Sequence, residues 1–417
     1  MSRLKICSSP RVSAAGIALL ATALLAPQSA KAADVECVSL PNPVYFPATT
    51  LLESLLAEVA PILADPAIAG DDQMTIIHFP LSSCLAYDQH RGQMPLTGTA
   101  IYYLPDGTQS TCDMPVDSDI LSDLGAMDVG GVTCLGGQTP PADLLEYPSH
   151  VETLGFVVPR NSSQTAITAT EAYYLMKFAG EPERQVAPWT NPDFILVRNP
   201  GSSTQLTVGA NIGILGTMWN GALTAHQGSG DVRDSLIAQN ATGNAEQVIG
   251  ILNSSKWEAA LNDIKVLAFQ PFNNCIGAIF PDSTSTSRDK RNVRDGHYPI
   301  WTNLRYIVRT DAAGSATTSN GDAAALRVQR FVDLMTGTQS IEPLNVAGAV
   351  IGTGNIPTCA MHVTREVDGG PMASFEHSAP CDCFFLEENG VASGCETCDD
   401  DNPCADGTCR FGYCEAR

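Results

Sequence analysis

Three short hydroxyl-rich turns hold the residues best suited to chemistry: Thr49-Thr50, Ser82-Ser83 and Ser202-Ser203-Thr204. Each stands where a strand-like run gives way to helical spacing. A helix start presents unpaired N–H donors and about half a positive charge, and neighbouring hydroxyls add donors in the same direction. Singly, such residues are ordinary helix caps. Meeting at one point, they would bind an anion. The third turn is the most pointed, because Arg198 and the run Gly201-Ser202-Ser203-Thr204 share one strand-turn-helix element. Hydrolytic chemistry has less support: no G-x-S-x-G and no H-E-x-x-H occurs, and the seven histidines are scattered without an obvious acidic partner.

The elements that must position these turns alternate between two periodicities. Leu51, Leu52, Leu55, Leu56 and Val59 have helical spacing, and Thr50 with Glu53 three residues on predicts a capped helix start near Leu51. Strand-like runs follow at Thr75 to Phe79, Thr99 to Leu104 and Gly155 to Val158. A helical stretch is expected from about Ser162 through Ala172, Tyr173, Leu175, Met176 and Phe178, and a strand from Phe194 to Val197 runs into the Arg198 turn, where Ser202 and Gln205 repeat the capping spacing. Further strands are expected at Ile264 to Phe269 and Leu304 to Val308, and a helix at Ala323 to Met335. Strands mixed with helices in this way predict an α/β protein. The charged run Asp289 to His297 reads as a solvated loop.

Residues 1–32 have the order of a secretory signal: Arg3, Lys5 and Arg11, an apolar run from Ala14 to Ala26, then small residues up to Ala32. That run is too short to cross a bilayer, which takes roughly 20 residues. Removing the signal removes four positive charges, so the formal net charge falls from −22 to −26. This argues against nucleic acid and anionic membranes as partners. It does not argue against an anion ligand, because a closed site acts through dipoles at about 3 Å while surface charge is screened beyond roughly 10 Å. An exported chain also gives its cysteines an oxidising compartment. Seven of the 14 crowd the end as C-x-C-x11-C-x2-C-x5-C-x4-C-x4-C, among nine acidic and two basic residues. Disulfides, rather than zinc, are expected to hold this tail. The mature count is odd, so at least one cysteine is free, joined to another chain, or paired between body and tail.

In order along residues 40 to 340, the chain resembles the periplasmic phosphate-binding proteins of phosphate ABC transporters. The motifs are Val44-Tyr45-Phe46-Pro47-Ala48-Thr49-Thr50, Pro80-Leu81-Ser82-Ser83-Cys84, Gly125-Ala126-Met127-Asp128, Arg198-Asn199-Pro200-Gly201-Ser202-Ser203-Thr204, Gly228-Ser229-Gly230-Asp231-Val232, Val248-Ile249-Gly250-Ile251 and Tyr298-Pro299-Ile300. In the fourth, Pro200 stands where the family has an aspartate and Ser203 where it has a glycine.

The resemblance implies a two-lobed type II periplasmic-binding-protein fold plus a small disulfide-rich tail. Lobe I would be built from residues 33–155 and 270–378, lobe II from 156–269, and the tail from 379–417. The implied ligand is phosphate or a similar oxyanion, held in the interlobe cleft by Thr49, Thr50, Ser82, Ser83, Asp128, Arg198, Ser202, Ser203 and Thr204. Asp128 would read protonation, since an ionised carboxylate only accepts hydrogen bonds and so favours an oxyanion that still carries a proton. No catalytic residue, metal or cofactor is implied. The expected setting is a monomer in the periplasm of a Gram-negative bacterium, or secreted, with an inner-membrane ABC permease as partner and no membrane insertion of its own. The rival is an interaction module on the same fold with a degenerate anion site.

Overall fold

The computed structural model describes residues 35–416 apart from 69, 216–217, 222–224, 273–274, 276, 402 and 406. The expected signal segment, residues 1–32, lies outside the described residues. The chain begins with β1 (Pro43–Thr49), α1 (Glu53–Ala64), β2 (Thr75–Leu81), α2 (Ser83–Arg91), β3 (Thr99–Tyr103), β4 (Gln109–Asp113), β5 (Gly125–Met127), α3 (Gly131–Cys134) and the long β6 (Leu144–Pro159); the strands expected at Thr75 to Phe79, Thr99 to Leu104 and Gly155 to Val158 correspond to β2, β3 and only the end of β6. The start of α1 differs from expectation. Thr49, not Thr50, supplies the cap, its hydroxyl accepting from Leu51 N at 3.3 Å, and a 3-10 turn at Thr50–Leu52 precedes the α-helix.

Beyond β6 come β7 (Ala166–Thr168), α4 (Ala169–Lys177), β8 (Ile195–Leu196), α5 (Ser203–Ile212), α6 (Ser229–Asn240), β9 (Ile249–Asn253), α7 (Ser254–Glu258), β10 (Ile264–Val266) and β11 (Ala268–Gln270). Helix α4 begins in a full capping box, Thr168 with Glu171. The chain returns through α8 (Arg291–Arg294), β12 (Trp301–Arg309), α9 (Asp322–Met335), α10 (Val346–Gly352) and β13 (Ile356–Pro357).

The main sheet has the order β4-β3-β2-β1-β5-β12-β6-β9-β8, with β10 and β13 also paired to β6. Strands β1, β2 and β5 are parallel, whereas the late strand β12 inserts antiparallel between β5 and β6. β6 changes partners along its length: residues 144–153 pair with β12, and 154–157 pair with β9. It is therefore a crossing strand, and β12 brings the chain back. This is the two-lobed α/β arrangement of type II that the sequence resemblance implies.

Two principal cores lie along this sheet. One gathers Phe46, Leu52, Leu56, Val59, Tyr306, Phe331 and Val332. In it the rings of Phe46, Tyr306 and Phe331 approach edge-on or tilted at 5.4–6.1 Å between centroids, a geometry that aromatic quadrupoles favour. The other gathers Phe156, Leu175, Val208, Ile251, Phe269 and Tyr298, and is joined by Ile351, Ile356, Met361, Phe384 and Phe385. The Tyr298 hydroxyl donates to Leu154 O at 2.9 Å. Gly155 makes this possible, since a Cβ there would come within 2.9 Å of that hydroxyl and of Val266.

Two disulfides staple the body, Cys37–Cys112 and Cys84–Cys134. Cys359–Cys381 crosses from body to tail, and the tail, which contains α11 (Asp382–Glu388), closes on itself through Cys383–Cys395, Cys398–Cys409 and Cys404–Cys414. Among the described residues, Cys275 is free and exposed. Every tail cysteine is thus bonded, and none is left as a thiolate for zinc. Among the described residues no helix is long and apolar enough to cross a membrane.

The Asp289 to His297 run is not the solvated loop the sequence predicts. Lys290 is 2 % exposed, its ammonium pairing with Glu258 and lying 3.2 Å from Asp282 Oδ1. Arg294 is buried against Asp382 and over the Phe385 ring. Partners from distant segments allow the burial, which residue type alone could not reveal. Burial opposes the Lys290 charge, but the two carboxylates hold its pKa above the ordinary value. Replacing Lys290 with Met leaves both acids buried without a cation, a cost of about 3–5 kcal/mol. Urea unfolding of the variant should show a loss of this size; a loss below about 1 kcal/mol would mean that the pair behaves as a surface ion pair.

Candidate functional site

The site is assembled at strand ends. Thr49 ends β1, Ser83 opens α2 after β2, Asp128 follows β5, and Ser203 opens α5 after the Arg198 turn. Three hydroxyls from these separate segments converge on one carboxylate oxygen. Asp128 Oδ2 accepts from Thr49 Oγ1 at 2.6 Å, Ser203 Oγ at 2.8 Å and Ser83 Oγ at 3.0 Å. Asp128, Thr49, Ser83 and Ser203 are all buried. The second oxygen, Asp128 Oδ1, accepts no hydrogen bond, and the Thr204 hydroxyl beside Ser203 also has no partner although Thr204 is fully buried. Ser202 is buried at the N-cap of α5 but makes no side-chain cap, so the expected Ser202–Gln205 capping box does not form. The Gln205 side chain instead accepts from Arg198 N at 3.0 Å.

Ser82 and Thr50 stand apart from this cluster. Ser82 Oγ faces Gly201 across the gap, 3.6 Å from where a Cβ on that glycine would lie. Thr50 is half-exposed in the 3-10 turn after β1, with no side-chain hydrogen bond to Asp128. Arg198 is 4 % exposed and near enough to Asp128 for the two charges to stabilise each other. Its guanidinium does not join the hydroxyl ring. Nη1 donates to Ser229 Oγ, Nη2 to Gln227 O at 2.8 Å and Nε to His226 O at 3.3 Å. With Pro200 in place of an aspartate, the loop and start of α6 take over the orienting role. Burial lowers the Arg198 pKa to about 10, which leaves it charged at neutral pH.

Asp128 carries opposed influences. Burial pushes its pKa up, while the hydroxyls of Thr49, Ser203 and Ser83 and the Arg198 charge pull it down. Its backbone is fixed as well. The Thr302 hydroxyl, on β12, donates to Asp128 O, and the nearby Asp368 carboxylate accepts from Gly130 N and Thr133 Oγ1 at 2.7 Å each and from Thr302 Oγ1 at 3.2 Å. Gly131 is required here, because a Cβ would meet Glu146 Oε1 at 2.7 Å and Tyr87 Oη at 2.9 Å.

Glu152 was not legible as a site residue, although a lone acid within the run Val151-Glu152-Thr153-Leu154 is the kind of signal that could have found it. It pairs in register with Thr302, is fully buried, and neither carboxylate oxygen has a hydrogen-bond partner. Burial first, then the Asp128 charge, push its pKa well above the ordinary 4.5. The neighbouring His150 Nε2 stays 3.9 Å from Glu152 Oε1, and burial lowers that imidazole to about 3. Burial raises the Asp128 carboxyl too, with its hydroxyl donors and Arg198 opposing the rise, so of the two acids Glu152 is the one held more toward its neutral form.

No family model matches the chain, and no curated protein matches it. Among solved structures, it is similar to a protein described as a phosphate ABC transporter substrate-binding protein with bound phosphate from Clostridium perfringens, at 13 % identity, covering 76 % of this chain and 100 % of that one, with a TM-score of 0.47. An ABC-type phosphate transport receptor from Vibrio cholerae has 11 % identity over 75 % of this chain and 99 % of that one, with a TM-score of 0.43. The reduced OxyR regulatory domain from Pseudomonas aeruginosa has 12 % identity over 70 % and 98 %, at 0.37. Overlaps at this level say nothing of the ligand, and the fold rests on the strand order above.

The Glu152 environment gives a pH signature. A carboxyl with a raised folded pKa contributes stability that is present below the unfolded value, ordinarily 4.5, and is lost as pH rises toward the folded value. Glu152→Gln keeps the neutral form at every pH. Its stability relative to the parent chain should therefore be nearly unchanged at pH 4 and should rise by pH 8. Equal differences at both pH values in urea titrations would rule out a neutral buried Glu152.

Proposed function

We propose that the chain is an extracytoplasmic solute-binding protein that holds a protonated oxyanion, phosphate foremost, in the cleft around Asp128. The observation that carries this reading is the convergence of Thr49, Ser83 and Ser203 on Asp128 Oδ2. A hydroxyl can rotate about its C–O bond and keep donating to a different acceptor. An arriving oxyanion would draw these three donors from Asp128 to its own oxygens. Asp128 would then lose its donors, a cost of several kcal/mol for a buried carboxylate, unless the ligand itself donates. Hydrogen phosphate carries the necessary O–H, and sulfate does not. Asp128 Oδ1, already without a donor, is a second place for that proton.

Thr204, with its unpartnered hydroxyl, and the start of α5 add donors to the same anion, and Arg198 balances its charge through space. Ser82, Ser202 and Thr50 complete the proposed contact set. In this reading lobe I comprises residues 33–155 and 270–378 and lobe II 156–269, hinged on β6 and β12. Closure is favoured because only the closed form gathers Thr49 and Ser83 with Ser203. Delivery to an inner-membrane ABC permease, export by the 1–32 signal and a periplasmic or secreted location belong to the same proposal.

One observation favours the rival interaction module. The hydroxyls already have a carboxylate acceptor, and the Arg198 donors are engaged by His226, Gln227 and Ser229. A site satisfied from within has less to gain from a ligand.

Calorimetry of the mature chain distinguishes the two. Phosphate should bind with measurable heat, Arg198→Ala should weaken it at least roughly tenfold, and Asp128→Asn should raise sulfate affinity relative to phosphate. An unchanged sulfate-to-phosphate ratio would remove the proton-reading role of Asp128, and no heat or thermal shift at millimolar phosphate would leave the interaction module ahead.

A further inference from the structure

The body and the tail together line a further cavity of about 800 Å³ that shares no lining residue with the Asp128 hydroxyl cluster. Its floor is Ser149-His150 of β6, one wall is the segment from Leu334 to Val350 that links α9 to α10, and the opposite wall is the tail, through His377 to Ala379 and Arg410-Phe411. The Cys359–Cys381 disulfide ties the walls together at their base. The volume lies within the roughly 300–1,000 Å³ range of small-molecule sites.

Three observations define what would fit. The lining is poor in acid in a chain with 45 acidic and 23 basic residues: Glu342 is its only carboxylate, and Arg410 its only guanidinium or ammonium group. Among the described residues no carboxylate pairs with the Arg410 guanidinium, which donates from Nη1 to Ala379 O at 3.4 Å. A guanidinium with spare donors beside a cavity is a ready carboxylate or sulfonate site. Next, the α9–α10 side of the lining carries an apolar patch, Pro343, Leu344 and Val346, beside the polar Gln339, Ser340 and Asn345, and Phe411 lines the tail side. The Phe411 ring is 46 % exposed, stacked on Phe384 at 4.4 Å, and its backbone is left-handed with φ of 50°, a conformation that disfavours bulky side chains. Finally, His150 at the floor is 1 % exposed and its Nδ1 has no hydrogen-bond partner, a polar atom that a ligand could satisfy.

We infer that this cavity is a binding site for a small organic acid, its anionic head on Arg410 and its apolar body between Val346 and Phe411. The tail then has a function distinct from closing the fold: it supplies the anion-binding wall. The inference does not depend on the reading of the Asp128 cleft.

Titration of the full mature chain with 4-phenylbutyrate, octanoate and octylamine, followed by calorimetry, tests it. Both acids should bind saturably and the amine should not. Arg410→Gln should weaken the acids by roughly tenfold or more, and Val346→Trp, which fills the cavity, should abolish binding without altering the affinity of the chain for phosphate. Failure of either acid to saturate at millimolar concentration, equal binding of the amine, or unchanged affinity in Arg410→Gln would overturn the proposal. Arg410→Gln lies half-exposed at the surface, so it decides the matter even if the Val346→Trp chain does not fold.

Discussion

The buried carboxylate of Asp128 is the constraint around which the chain is arranged. A carboxylate taken out of water must be met by donors or be neutralised, and here the donors come from three places that nothing in the local sequence connects. Thr49, Ser83 and Ser203 reach it only because β1, β2 and β5 are parallel neighbours, so that their carboxyl ends open on one side, and because the turn after β8 is brought up to them. Open α/β sheets place ligand sites at such strand ends for this reason. The backbone of Asp128 is held in turn by Thr302 of the returning strand and, through Asp368, by a segment near the end of the body.

The same charge explains the rest of the site. Were Glu152 ionised, two carboxylates would share a dry environment with a single guanidinium nearby; its raised pKa avoids that. Arg198 acts at a distance, because its N–H groups are anchored to carbonyls and a serine of its own side of the cleft. The cluster therefore meets the Asp128 carboxylate with three rotatable hydroxyls, while the Arg198 guanidinium stays anchored to its own loop.

Elsewhere, the fold handles buried charge by pairing segments far apart in the chain. Lys290 with Asp282 and Glu258, and Arg294 with Asp382, sit where a solvated loop was expected. The Arg294 pair also links the body to α11 of the tail, next to the Cys359–Cys381 crossing. Tail and body are in this way joined by a covalent bond, an ion pair and the packing of Phe384 and Phe385 in the second core. The cavity bounded by Arg410 and His150 is a product of that docking.

The sequence by itself determined what is local or compositional. Hydrophobic periodicity and turn residues marked β2, β3 and α9 nearly to their ends, since burial of one face dictates spacing, whereas the helical stretch expected from about Ser162 begins only at Ala169, after β7. The cysteine arithmetic left three outcomes open, a free thiol, a bond to another chain or a body-to-tail bridge; Cys275 is free and Cys359–Cys381 is such a bridge. Hydroxyls at strand ends were visible as a group. Only the tertiary structure decided which of them meet: Thr49, Ser83 and Ser203 surround Asp128, while Thr50 turns away into a 3-10 turn and Arg198 is retained by its own loop. Glu152, Thr302 and Asp368 belong to the site through pairing across β6, β12 and the late body segment. Such long-range pairings depend on how strands register and cross, and a donor's direction is fixed by its partner in space rather than by its neighbours in the chain.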